Sequence, residues 1–153
     1  MDENLLFQLT SGLGAAGRRW RRLVEHALGG YGVSAADAVP LIIIGRADGG
    51  MRQVTVAREV GIVGPSLVRL VDKLSAAGLL ERRQDASDRR ANTLSLTPAG
   101  RVLADRLEAR LAELRSEVFD QMSVADMEAV LRFYRVLADA SCGDPVQPEQ
   151  DRP

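Results

Sequence analysis

Side chains able to carry covalent chemistry are scarce in this sequence, and side chains able to bind anions are plentiful. There is one histidine, His26, and one cysteine, Cys142. Nucleophilic catalysis needs a nucleophile within hydrogen-bond reach of a base, itself oriented by a third group. His26 and Cys142 stand near opposite ends of the chain, with no carboxylate pair of evident purpose and no phosphate-cradling glycine loop. One cysteine makes no intramolecular disulfide, and one histidine adds no zinc-type cluster. The expectation is a protein that is not an enzyme and uses no metal or other cofactor. Arginine is the abundant functional group: of the 20 basic residues, all but Lys73 are Arg, a bias of the kind a GC-rich genome imposes. The guanidinium fork pairs bidentately with phosphate and with a guanine edge. Residues 1–51 balance five basic against five acidic groups, residues 52–90 carry eight against five, residues 91–140 six against eight, and residues 141–153 one against three. A basic middle flanked by acid suits one anion-facing surface, although the net charge of -1 gives no such hint and an excess this modest also arises by chance.

The elements that must position those arginines are mostly helices. Apolar residues recur at three- and four-residue steps from Leu6 to Leu28, so residues 4–28 read as a helix, with Arg18, Arg19, Arg21 and Arg22 flanking Trp20. Gly12, Gly14 and Gly17 weaken it locally or admit a close neighbour. Ser34 is a good N-cap for a second helix, from Ala35 to about Arg46, that Pro40 should kink or distort. A turn at Asp48-Gly49-Gly50 leads to a short helix over 53–61 and another over 64–77, stopped by Gly78. On the latter, Leu67, Leu70, Val71 and Leu74 form the buried stripe, while Ser66, Arg69 and Lys73 share a different face. Strand-like segments 79–83 and 92–96 enclose a polar hairpin loop. Thr97-Pro98 opens a long helix whose Leu103, Leu107, Leu111, Leu114, Val118 and Met122 make a heptad-like seam. Ser123 caps a last helix, and residues after Ser141 read as disordered.

The order is four helices, a two-stranded wing and two more helices: mainly α with a small β wing, a winged helix-turn-helix. With 153 residues the division is N-terminal helices over 4–50 (dimerisation and support of the lobe), a winged helix-turn-helix lobe over 51–96, C-terminal dimerisation helices over 97–140 and a tail over 141–153. The terminal stripes are too apolar to stand in water, so a two-fold dimer is expected. The longest apolar run, Ala38 to Ile44, is far short of the roughly 20 residues of a membrane span. The N-terminus lacks a basic region before an apolar stretch, so a cytoplasmic protein is expected.

Several stretches together carry a resemblance. They are residues 56–62 (VAREVGI), 65–74 (PSLVRLVDKL), 78–83 (GLLERR), 86–91 (ASDRRA) and 96–100 (LTPAG), with 20–26 (WRRLVEH) in the first helix. The sequence resembles the MarR family of transcription regulators over about residues 6–140, and within it the SlyA type. The resemblance implies a dimer on double-stranded DNA, at a pseudo-palindromic operator. Pro65 and Ser66 would stand at the tip of a recognition helix, where the helix dipole favours a phosphate. Arg69, one turn on, would pair with O6 and N7 of a guanine; the alternative is a solvated surface arginine. Lys73 would touch a phosphate or solvent, and Arg52 and Gln53 are further phosphate candidates. In SlyA-like proteins the second arginine of the wing enters the minor groove, which implies Arg90. Asp88 would hold one wing arginine, and Arg89 would serve phosphate contact or loop structure.

Family members commonly bind small anionic aromatic effectors in a cleft beside the lobe, for which Trp20, His26 and Ala38 are the candidate lining. Ala38 stands where SlyA-like proteins carry a tryptophan, which changes the shape of the cleft. The peroxide-sensing branch uses a cysteine in the first helix, and Cys142 is elsewhere. The resulting expectation is a dimeric DNA-binding regulator, a repressor released by a ligand. The alternatives are an effector-independent regulator and a winged-helix module that binds protein rather than DNA.

Overall fold

The computed structural model describes residues 2–47, 49–62, 64–84 and 91–140. Asp88, Arg89, Arg90, Cys142 and the tail lie outside the described residues. The elements in order are α1 (Glu3–Leu28), α2 (Ala35–Gly45), β1 (Met51–Arg52), α3 (Gln53–Val60), α4 (Gly64–Ala76), β2 (Leu80–Gln84), β3 (Asn92–Leu96), α5 (Pro98–Phe119) and α6 (Val124–Asp139). This is the expected winged helix, mainly α with a small antiparallel sheet. Among the described residues no helix is long and apolar enough to cross a membrane.

Local chemistry explains most boundaries. Asp2 caps α1, its Oδ1 accepting from the N–H groups of Asn4 and Leu5 at 3.0 and 3.2 Å. Ser34 and Asp37 form a reciprocal capping box at the start of α2, and Ser123 and Asp126 repeat it at α6. Gly61 closes α3 in the left-handed conformation. Pro40 does not break α2, which runs unbroken to Gly45. The helix is buried almost all round, with Ala38, Pro40, Leu41, Ile42 and Ile44 inside, so packing on several sides holds it together despite the missing donor.

The sheet has three strands in the order β1-β3-β2, one more than expected. β1 is two residues long and pairs Met51 with Leu94 and Arg52 with Thr93. Gly50, just before it, has φ +100, and a Cβ there would sit 2.8 Å from the Leu94 carbonyl oxygen. β2 and β3 pair from Leu80↔Leu96 to Gln84↔Asn92.

The Leu-Thr-Pro-Ala-Gly stretch is a knot that ties the hairpin to α5. The Thr97 hydroxyl donates to the Gly78 carbonyl at 2.6 Å and accepts from the Gly100 N–H at 3.0 Å. Gly100 lies so close to the Leu79 backbone that a Cβ would fall 1.9 Å from its carbonyl oxygen, so only glycine fits.

The chain divides into two compact units, one through Ser116 and one from Glu117. The first has a single core in which Leu28 of α1, Leu41 and Ile44 of α2, Val56 of α3, Leu67 and Leu74 of α4, Leu94 of β3 and Leu107 of α5 are fully buried. Glu108 of α5 accepts from Arg46 at 2.6 Å and Arg115 at 3.0 Å, and the Arg106 guanidinium stands 5.4 Å over the Tyr31 ring. The expected seam on α5 is corrected here: Leu107, Leu111 and Leu114 are buried inside the chain's own core and need no second copy to cover them. In the second unit α6 buries none of its residues; Val124, Met127, Val130, Leu131, Tyr134 and Leu137 are exposed.

Candidate nucleic-acid interface and adjoining cavity

The sequence of α4 separates two faces. Leu67, Val71 and Leu74 are buried, and the opposite face exposes Pro65, Val68, Arg69, Asp72 and Lys73. Arg69 sits in the middle of this face and makes no hydrogen bond or ion pair among the described residues, so its guanidinium fork is open to an incoming anion or base edge.

Lys73 makes an ion pair that the sequence did not point to. Its Nζ donates to Asp37 Oδ2 at 2.6 Å, and the Asp37 side chain is only 6% exposed while that of Lys73 is 65% exposed. The same carboxylate accepts from the Ser34 hydroxyl at 2.6 Å and the Ser34 N–H at 3.2 Å. Burial raises the Asp37 pKa, but the bonds from Lys73 and Ser34 outweigh it and hold the carboxyl below its ordinary value. The physical reason for the pairing is that a buried carboxylate must be paired, and Lys73 is within reach. Asp72 is likewise neutralised, by Arg82 of β2 at 3.3 Å. Two ion pairs therefore fix the C-terminal half of α4 and leave its N-terminal half to meet a ligand. Val68, 41% exposed on that face, was not singled out from the sequence; it is an apolar group of the kind that packs on a thymine methyl.

Arg52 and Gln53, at the start of α3, line a second recess with Val54, Ala57, Leu67, Ala91 and Asn92. Gln53 Oε1 is buried with no partner among the described residues. The wing residues Asp88, Arg89 and Arg90 lie outside the described residues.

Behind α4 lies a cavity of about 500 Å³. α1 contributes Gly17, Trp20, Arg21, Val24 and Glu25, α2 contributes Ala35, Ala36 and Val39, and Val60, Ile62, Ser66 and Leu70 complete it. Of the three residues expected there, only Trp20 is present. His26 is exposed and off the lining, and Ala38 is fully buried in the core. Helical periodicity is the reason: positions 35, 36 and 39 of α2 face the cavity, and position 38 turns the other way. Ser66 belongs to two surfaces, the tip of α4 and the cavity wall. The sequence signal for Gly17, Ala35 and Ala36 was small side chains on neighbouring helices, which leave space between the backbones.

Comparison with known proteins agrees with this fold. The model of the MarR family matches residues 31–91. The transcriptional regulator PA3341 is 32% identical, covers 85% of this chain and 96% of its own, and superposes with a TM-score of 0.77. CouR from Rhodococcus jostii RHA1, solved bound to p-coumaroyl-CoA, is 25% identical over 92% of this chain and 98% of its own, with a TM-score of 0.80. A MarR-family regulator from Silicibacter pomeroyi is 25% identical over 87% and 90%, with a TM-score of 0.71. With its winged helix, its α4 face and this similarity along most of its length, the chain belongs to the MarR family of transcriptional regulators.

Proposed function

We propose that the chain is a dimeric, sequence-specific DNA-binding repressor of the SlyA type, acting in the cytoplasm and released by a small anionic or aromatic effector. One observation carries the reading: the two sides of α4 serve different surfaces. The outer side presents Arg69 unpaired, and the inner side, through Ser66 and Leu70, is a wall of the cavity. A ligand that occupies the cavity pushes on the element that reads DNA.

In this reading Arg69 pairs with a guanine, Ser66 and Pro65 meet a phosphate at the helix tip, and Arg52 and Gln53 meet the backbone at the start of α3. Arg90 enters a minor groove, with Asp88 shaping the wing and Arg89 on a phosphate or on the loop. Lys73 acts by positioning α4. Two copies pair through the exposed stripe of α6 and the N-terminal end of α1, where Leu5, Phe7 and Leu9 are exposed. Two-fold symmetry then calls for a pseudo-palindromic operator with half-sites about one helical turn apart. The effector acts by its differential affinity for two spacings of the recognition helices; a tenfold loss of operator affinity needs about 1.4 kcal/mol of coupling. The ligand of CouR, an aromatic group in thioester linkage, supports an aromatic effector here.

The test is a gel shift with the DNA upstream of the protein's own gene, repeated with a panel of aromatic carboxylates. A retarded band that specific competitor removes, and that at least one compound releases, is the expected result. No retardation at micromolar dimer and low salt would refute the DNA-binding reading.

A further inference from the structure

The outer face of α1 carries a second concentration of arginine. Arg18, Arg19, Arg21 and Arg22 fall within five positions, and all four are exposed. Trp20, Leu23 and Val24 turn inward to the core, so the guanidinium groups fan over the opposite side of the helix. None of the four makes a hydrogen bond or ion pair among the described residues. That sets them apart from most arginines of this chain: Arg46, Arg58, Arg82, Arg83, Arg110 and Arg115 all stand in ion pairs. Glu25 lies three positions beyond Arg22 and four beyond Arg21, within reach along the helix, and pairs with neither. The even charge balance of residues 1–51 conceals this face. Four of the five basic groups stand here, and four of the five acidic groups stand elsewhere.

The arrangement opposes helix stability in the free chain. Arg18 repels Arg21 and Arg22, and Arg19 repels Arg22, at three- and four-residue spacing. The helix dipole does not offset this, because its effect fades within the last turn, where His26 is the basic residue. A partner with dense, regularly spaced negative charge removes the repulsion. Duplex DNA carries one phosphate per about 3.4 Å of axis on each strand, and residues 18 to 22 span about 6 Å of α1, so adjacent phosphates can each meet a guanidinium fork. The face also adjoins the recognition surface: Arg21 of α1 and Ser66 at the tip of α4 line the same cavity. We infer that the outer face of α1 is a further DNA contact, which grips the phosphate backbone without reading its sequence. This rests on the DNA-binding reading above and adds a second element to it. The α4 face selects the site, and α1 supplies part of the affinity.

The experiment compares the full chain with its Arg18→Gln/Arg22→Gln variant. The probes are the DNA upstream of its own gene and a scrambled duplex of equal length, titrated from about 50 to 200 mM salt. Operator affinity should fall about tenfold or more. The slope of log affinity against log salt should shrink by about two or more, since each of two copies loses at least one phosphate contact. Affinity for the scrambled duplex should fall by a similar factor, while base preferences in an operator library stay as they were. The thermal midpoint should be equal or higher, because two repulsive pairs are gone. Arg132→Gln/Arg135→Gln on α6 removes the same charge from two arginines that are also exposed and unpaired among the described residues. It should leave the slope unchanged, which separates a contact from the effect of net charge. A wild-type slope in the α1 variant overturns the inference and leaves the DNA-binding reading in place; so does an equal loss in the α6 variant. Unaltered DNA binding together with loss of affinity for a polyglutamate peptide would overturn it too, and give the face to an acidic protein. Failure of the unsubstituted chain to bind either duplex at low salt refutes the DNA-binding reading with it.

Discussion

Replacing Lys73 by Gln separates a positioning lysine from a phosphate-binding one. The Asp37 carboxylate is almost fully buried and takes three hydrogen bonds, of which Lys73 supplies the only charged donor. A hydrogen bond to a charged group contributes about 1.5–3 kcal/mol, and the large exposure of the lysine calls for the lower end. A loss of about 1.5 kcal/mol corresponds to a fall of about 3–6 °C in melting temperature for a chain of this size. The pH dependence follows from the direction of the Asp37 shift. Its folded pKa lies below the ordinary 3.8, so the stabilisation is complete above the unfolded value and is lost as pH falls through the folded one. The wild-type advantage should therefore be constant from pH 5 to pH 7 and fade below about pH 3.8. Calorimetric melts across that range give the stability, and operator titrations at several salt concentrations give the number of phosphates neutralised. The slope of affinity against salt should be unchanged, since Lys73 is already paired. An unchanged melting temperature with a salt slope smaller by about one would refute the reasoning and return Lys73 to the DNA.

The other expectations concern the remaining contacts. Arg69→Ala should cost about 1–3 kcal/mol of operator binding and relax the preference at one base pair per half-site, whereas Arg90→Ala should weaken binding most at A·T-rich flanks; binding measured on an operator library distinguishes them. Leu131→Glu on α6 should convert the dimer to monomer in sedimentation, and a dimer unaffected by it would move the interface elsewhere. Gly100→Ala should destabilise by several kcal/mol, read by denaturant unfolding, because the new methyl would meet the Leu79 carbonyl. Cys142→Ser should leave DNA affinity and its response to peroxide unchanged in the same binding assay.

What was legible in the sequence is what is local. Ser34, Ser123 and Gly78 announce their helix ends because a cap is made within four residues, and the stripe of α4 follows from its period. β1 was not legible: two residues carry no alternation, and their strand character comes from Leu94 and Thr93, some forty residues away. Hydrophobic spacing on α5 said correctly that Leu107, Leu111 and Leu114 are buried but not by what. In the fold the chain covers them itself, and the uncovered stripe is on α6. The cavity was half legible. Trp20 was found by its type, but Ala35, Ala36 and Gly17 matter for what they lack, and Ala38, named because it stands where SlyA-like proteins carry a tryptophan, lies in the core beside the cavity rather than on its wall. The pairing of Lys73 with Asp37 spans 36 positions and joins two helices, so no spacing rule could point to it.

The knot at Thr97 makes the hairpin and α5 one lever. The hydrogen bonds of Thr97 and the close packing of Gly100 on Leu79 leave no slack between the base of the wing and the first turn of the long helix. α5 is 22 residues long, so it reaches about 33 Å on one side of this fulcrum. The five-residue strands of the hairpin reach about 16 Å on the other. A tilt of about 5° in α5 would thus swing the outer end of the hairpin by about 1.4 Å, half the length of a hydrogen bond. In the proposed reading of the wing as a DNA contact, a lean of the long helix would arrive at the outer end of the hairpin as a displacement of that size.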